Sequence, residues 1–92
     1  MTYTIEFSSR AARDFKKLAK TNRAIAVKIK DAIADLAEDP RPRGSEALSG
    51  TNPSLHRIRI GSFRVIYEIK EAQLLVWVVK LGDRKEIYRF LK

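Results

Sequence analysis

The chain has no cysteine, and only one histidine, one tryptophan and one methionine among its 92 residues. Without cysteine there is neither a disulfide nor a thiolate metal site. A single histidine leaves a histidine-based metal centre short of ligands. No apolar run approaches the roughly 18 residues that a membrane helix needs. The opening MTYTIEFSSR lacks the basic-then-apolar layout of a secretory leader. The expectation is a cytoplasmic protein with no membrane partner and no cofactor.

Acidic residues are scarce as well. Eleven Asp and Glu stand against nineteen Lys and Arg, a net charge of +8, and the pI is near 10.1. Such a field steers association with polyanions: nucleic acid, a membrane surface or an acidic protein. A basic surface that merely keeps the chain soluble is the plainer alternative, so the placement of the charge decides. With 45% apolar and 33% charged residues the chain is globular. A domain of this length, here residues 1–92, buries only about 60–65% of its unfolded surface. One sheet and one helical layer are what it can build.

Thr2 to Phe7 alternate, with Tyr3, Ile5 and Phe7 on one face, as in a half-buried strand. Ser8 or Ser9 then caps a helix whose apolar set is Ala11, Phe15, Leu18 and Ala19. Thr21-Asn22 breaks it. A second helix carries Ile25, Ile29, Ala32, Ile33 and Leu36 on one stripe and stops before Pro40. So short a link predicts an antiparallel helix pair laid on the sheet. Residues 40–54 form a Pro-, Gly- and Ser-rich loop anchored midway by Ala47-Leu48. Strands follow at Leu55–Ile60, Phe63–Ile69 and Leu74–Leu81, the last almost continuously apolar and so covered on both faces. The tail GDRKEIYRFLK reads as a turn into a short helix. The predicted order is β-α-α-β-β-β with a carboxy-terminal helix, an α+β fold.

The stretch LHRIRIGSFRVIYEI, residues 55–69, sets arginines among its most strand-like residues. A two-residue Gly61-Ser62 loop places Ile60 opposite Phe63 and Arg59 opposite Arg64. Side chains alternate, so His56, Ile58, Ile60, Phe63, Val65 and Tyr67 share a core face. Arg57, Arg59, Arg64, Ile66 and Glu68 share the other. Like charges directly opposite destabilise a sheet by up to about 1 kcal/mol, and Glu68 offsets at most one of the three. Edge strands do carry charge to prevent aggregation, but lysine usually serves there. Arginine's planar fork suits phosphate or carboxylate. In the tail, Arg84 and Tyr88 are four apart and fall on one side of a helical turn.

Taken in order, a basic-x-basic pair, a Gly-containing turn, aromatic-Arg-x-x-Tyr and a terminal Gly-x-Arg-x-x-x-Tyr resemble the RelE branch of the RelE/ParE toxin superfamily. The likeness spans the whole chain. It implies the toxin of a type II toxin–antitoxin pair, a metal-independent endoribonuclease that enters the A site of the 30S ribosome and cuts mRNA there. In such a reaction the 2′-hydroxyl attacks the adjacent phosphate, leaving a 2′,3′-cyclic phosphate and a 5′-hydroxyl. By motif, the resemblance makes Arg64, Arg84 and Tyr88 the catalytic candidates, and Arg57, Arg59 and Lys85 the substrate-binding ones. It implies a RelB-like antitoxin too, whose acidic, disordered segment folds on binding.

The chemistry of these residues is compatible with cleavage, which needs the nucleophile in line, developing charge stabilised and protons moved. Guanidinium keeps its proton above a pKa of about 12, so the arginines stabilise charge and do not act as bases. Tyr88 is left as the proton-transfer group, or as a residue that stacks on a base or orients the phosphate. Two departures stand out. Some members have lysine where Arg57 and Arg59 stand, and many have histidine where this chain has Asp83. His56 faces the other way and is expected to pack.

Two other functions stay open. ParE-branch toxins share the fold and inhibit DNA gyrase by protein–protein contact, with no use for a phosphate-gripping cluster. A non-catalytic nucleic-acid-binding module would only hold phosphates, and then Arg84→Ala and Tyr88→Phe hardly matter.

Overall fold

The computed structural model describes residues 2–48 and 55–91. The chain runs β1 (Thr4–Phe7), α1 (Ser9–Thr21), α2 (Arg23–Asp35), β2 (Glu46–Ala47), β3 (Leu55–Ile60), β4 (Phe63–Lys70), β5 (Leu75–Asp83) and α3 (Arg84–Leu91). A single 3-10 turn, Glu71–Gln73, joins β4 to β5. The strands form one sheet in the order β1-β5-β4-β3-β2. β1 lies parallel to β5 and the other pairings are antiparallel. This is the expected α+β arrangement, with one strand more than the sequence disclosed.

Capping explains the helix pair. The Ser8 hydroxyl accepts from the Ala11 N–H at 3.0 Å and donates to the Val79 carbonyl at 2.7 Å, tying the start of α1 to β5. Asn22 closes α1 by donating its N–H to the Leu18 carbonyl at 2.7 Å. It opens α2 by accepting from the Ile25 N–H at 3.3 Å. One residue thus makes the break between the helices. Leu18, Ile29, Ile33 and Leu36 are buried from the helical side, against Val65, Tyr67, Val76 and Val78 of the sheet.

α2 stops before Pro40, as expected: it ends at Asp35, and Leu36 donates back to Ile33 in a tightened last turn. Pro40 is buried further on, where its carbonyl receives the Tyr67 hydroxyl at 2.7 Å. The bounds of β1 and β5 differ from those expected. β1 begins at Thr4, not Thr2, because the Tyr3 N–H is taken by the Ala37 carbonyl at 2.8 Å. Phe7, expected inside, is 39% exposed, with its ring edge-on to Phe15. β5 starts after Leu74, which adopts φ 49 to close the turn, and runs on through Gly82-Asp83.

The loop after α2 holds a two-residue strand. Glu46 pairs with Arg57 and Ala47 with His56, and the Leu48 N–H donates to Leu55. The second half of the expected loop, 49–54, lies outside the described residues.

The β3–β4 hairpin has the expected register: Ile60 opposite Phe63, Arg59 opposite Arg64, Arg57 opposite Ile66. Gly61 at φ 60 supplies the left-handed first position of the turn. Between β4 and β5 the register shifts, with Ile66 opposite Lys80 but Tyr67 opposite Val78, so Val79 is an extra residue on β5.

Candidate functional site

Alternation along β3 and β4 puts Arg57, Arg59 and Arg64 on one side of the sheet, away from the helix pair. Arg64 is the most enclosed of them, at 8% exposure. Its guanidinium makes one hydrogen bond among the described residues, a long 3.5 Å contact from Nη1 to the Ser62 carbonyl. Burial lowers its pKa first, and then the positive charges of Arg59, Arg57 and Arg84, while Glu46 opposes them. Arginine stays ionised at neutral pH despite this. The chain therefore holds a largely desolvated cation against three others.

Arg57 is partly relieved. Its guanidinium forms an ion pair with Glu46, the carboxylate that β2 delivers to the face. Its Nε is buried and has no hydrogen-bond partner among the described residues. A buried donor without a partner costs free energy that an arriving acceptor removes. Arg59 is exposed.

α3 lies on the same side of the sheet. Gly82 stands opposite Arg64 and so faces the arginine side. A Cβ at Gly82 would sit 3.1 Å from the Cβ of Glu86 on α3. Ile66 and Ile87, both buried yet outside the main core cluster, fill this second layer. Asp83 caps the helix, its carboxylate accepting from the Glu86 N–H at 2.9 Å. That is the physical work of this residue. Arg84, Lys85 and Tyr88 line one open groove together with Arg89, and Tyr88 is 68% exposed.

The predicted residues thus fall into two groups. Arg57, Arg59 and Arg64 share the sheet face; Arg84, Lys85 and Tyr88 share the α3 groove. Arg84 links them, since its charge is felt at Arg64. His56 belongs to neither group. It lies on the core face at 6% exposure, stacked on Tyr67 with ring centroids 5.8 Å apart. Sequence reasoning missed Glu46, for a two-residue strand leaves no periodic signal. It also missed Arg89, which follows Tyr88 directly. No group of three or more His, Asp or Glu among the described residues is placed to hold a metal ion. No helix among them is long and apolar enough to cross a membrane.

Comparison with known proteins gives the family. The model of the family described as ParE toxin of type II toxin-antitoxin system, parDE, matches residues 5–88. Toxin RelG of Mycobacterium tuberculosis is 32% identical over 92 residues, covering 97% of this chain and 99% of its own. The mRNA interferase toxin RelE of Escherichia coli strain K12 is 28% identical over 92 residues, with 96% and 92% covered. The crystal structure of the RelBE2 toxin–antitoxin complex from M. tuberculosis shares 27% identity at a TM-score of 0.73, covering 91% of this chain and 100% of that one. Over nearly its whole length the chain belongs to the ParE toxin family of type II toxin–antitoxin systems, and within that family it is RelE-like.

Proposed function

We propose that this toxin is a ribosome-dependent endoribonuclease that cuts mRNA in the A site and so arrests translation. The observation that carries this reading is Arg64, an almost enclosed guanidinium beside the charges of Arg57, Arg59 and Arg84 and, among the described residues, without an ion pair to a carboxylate. A cation concentrated in this way is stabilised by phosphate, and most of all by a phosphorane-like transition state with extra negative charge.

In this reading Arg57, Arg59 and Lys85 hold the RNA backbone and bring the 2′-hydroxyl into line. Arg64 and Arg84 stabilise the charge that develops as the O2′–P bond forms and the P–O5′ bond breaks. The proton leaves O2′ and one is delivered to O5′, with the Tyr88 hydroxyl as the side chain that assists transfer. The chemistry assigned here uses side chains alone. The names of the relatives support it, one being called an mRNA interferase.

The partner in the resting state is a RelB-like antitoxin, as the RelBE2 complex suggests for a chain of this family. Its acidic segment covers the arginine face or displaces α3. A complex that leaves both untouched would overturn this form of inhibition.

The test adds the purified chain to translating ribosomes and maps mRNA ends by primer extension, beside free mRNA and a gyrase supercoiling assay. Cuts confined to A-site codons, lost in Arg64→Ala and Tyr88→Phe, are expected. Intact mRNA with inhibited supercoiling would assign the toxin to gyrase instead.

A further inference from the structure

β1 pairs with β5 only as far as Val78, opposite Phe7. From Val79 onward that edge of β5 has no strand beside it among the described residues, and side chains of α1 and α3 approach it there. Lys80 sits in the gap with its side chain only 12% exposed. Its ammonium lies 3.0 Å from Asp14 Oδ2 on α1 and 3.7 Å from Glu86 Oε2 on α3. Asp14 Oδ2 is buried and makes no hydrogen bond of normal geometry, so Lys80 is its charge compensation. A second bridge lies nearby, where the Arg10 guanidinium stands 5.4 Å from the centre of the Phe90 ring.

These contacts matter because α3 has little else to hold it. Ile87 is the one buried residue among its eight. A single apolar anchor keeps a helix near the sheet without fixing its rotation. At 3.6 residues per turn, Glu86 and Phe90 share the side towards α1, while Arg84 and Tyr88, displaced by two residues, lie about half a turn round. Whatever fixes Glu86 and Phe90 therefore fixes the direction in which Arg84 and Tyr88 point.

We infer that Lys80 is a positioning residue: by joining Asp14 to Glu86 it sets the orientation of α3 and thereby aims Arg84 and Tyr88. The consequence for turnover rests on the function proposed above; the orientation of the helix does not.

Amide hydrogen exchange on the full chain, read beside cleavage kinetics, tests it. In Lys80→Met, exchange in 85–91 rises at least about tenfold while amides of β3 and β4 keep their rates. Turnover at saturating ribosomes falls about 100-fold, since a displacement near 1 Å is enough to do so. KM for ribosomes changes far less than turnover, since Arg57 and Arg59 on the sheet keep their places, and Lys80→Arg restores both readouts. If Lys80→Met alone does not fold, because the buried Oδ2 of the half-buried Asp14 loses its counter-charge, the double variant Asp14→Asn/Lys80→Met removes both charges and still loosens α3. Unchanged exchange in 85–91 overturns the inference, as does an equal rise across the whole sheet. Should the native chain cut no mRNA, the exchange result still decides for or against Lys80, while the functional reading alone falls.

Discussion

Arg59 and Arg64 stand directly opposite each other across the β3–β4 ladder, with Arg57 two residues away on the same face. Three cations so placed oppose folding, and burial of Arg64 adds to the cost. Stability and activity are therefore expected to move in opposite directions here. Arg59→Thr raises stability in urea unfolding by about 0.2–1 kcal/mol, while cleavage of mRNA on ribosomes drops. A variant that is both less stable and fully active contradicts this.

Under the proposed function, Glu46, ion-paired to Arg57, competes with RNA for it. Removing its charge with Glu46→Gln leaves the Arg57 fork open to phosphate. Binding to single-stranded RNA is expected to tighten, and the plot of log K against log salt to steepen by about 0.7, one more phosphate neutralised. Filter binding across a salt series measures both. An unaltered slope means that Arg57 does not contact the backbone.

Gly82 makes room for α3. In Gly82→Ala the new Cβ meets the Glu86 carboxylate at 2.9 Å and its Cβ at 3.1 Å. The carboxylate can swing away, but the Cβ moves only with the helix. A stability loss of about 1–3 kcal/mol is expected, accompanied by a larger loss of turnover than of ribosome affinity.

Asp83 can be replaced by a residue that caps. Asp83→Asn retains the bond to the Glu86 N–H and should leave stability nearly unchanged. Asp83→Ala removes it and costs about 1 kcal/mol, read by urea unfolding. If both variants behave alike, the residue has no capping role.

Tyr67 makes stability depend on alkaline pH. Burial pushes its pKa up to about 12 from the usual 10. A group with a raised folded-state pKa stabilises fully below the unfolded value and loses that contribution as pH climbs through the folded one. Native stability should therefore fall between about pH 10 and 12 more steeply than in Tyr67→Phe, and comparing the two cancels the lysine titrations shared by both. At pH 7 the same substitution costs about 1 kcal/mol, through the lost bond to the Pro40 carbonyl.

The hairpin was legible because a Gly-Ser turn and strict alternation leave one register for Arg57, Arg59 and Arg64. The helix pair was legible through its apolar stripes and the Asn22 break. What escaped reading depends on partners distant in the chain. Ala37, just beyond α2, bonds Tyr3 and so sets where β1 begins. β2 exists only as a neighbour of β3. Lys80 resembled any polar residue near a strand end, and only the meeting of α1 and α3 discloses its two carboxylates. The register placed Arg57, Arg59 and Arg64, whereas Lys85 and the roles of all six candidates came from motif likeness.

The parallel pairing of β1 with β5 joins segments 71 positions apart, as the bond from Ser8 to Val79 does. Such a closure is made late, after the intervening chain exists. Since α3 follows β5, the groove bearing Arg84 and Tyr88 is assembled after almost everything else has emerged from the ribosome. Under the function proposed above, a growing copy lacks its complete site until synthesis is nearly done, and an antitoxin made alongside has that interval in which to arrive first.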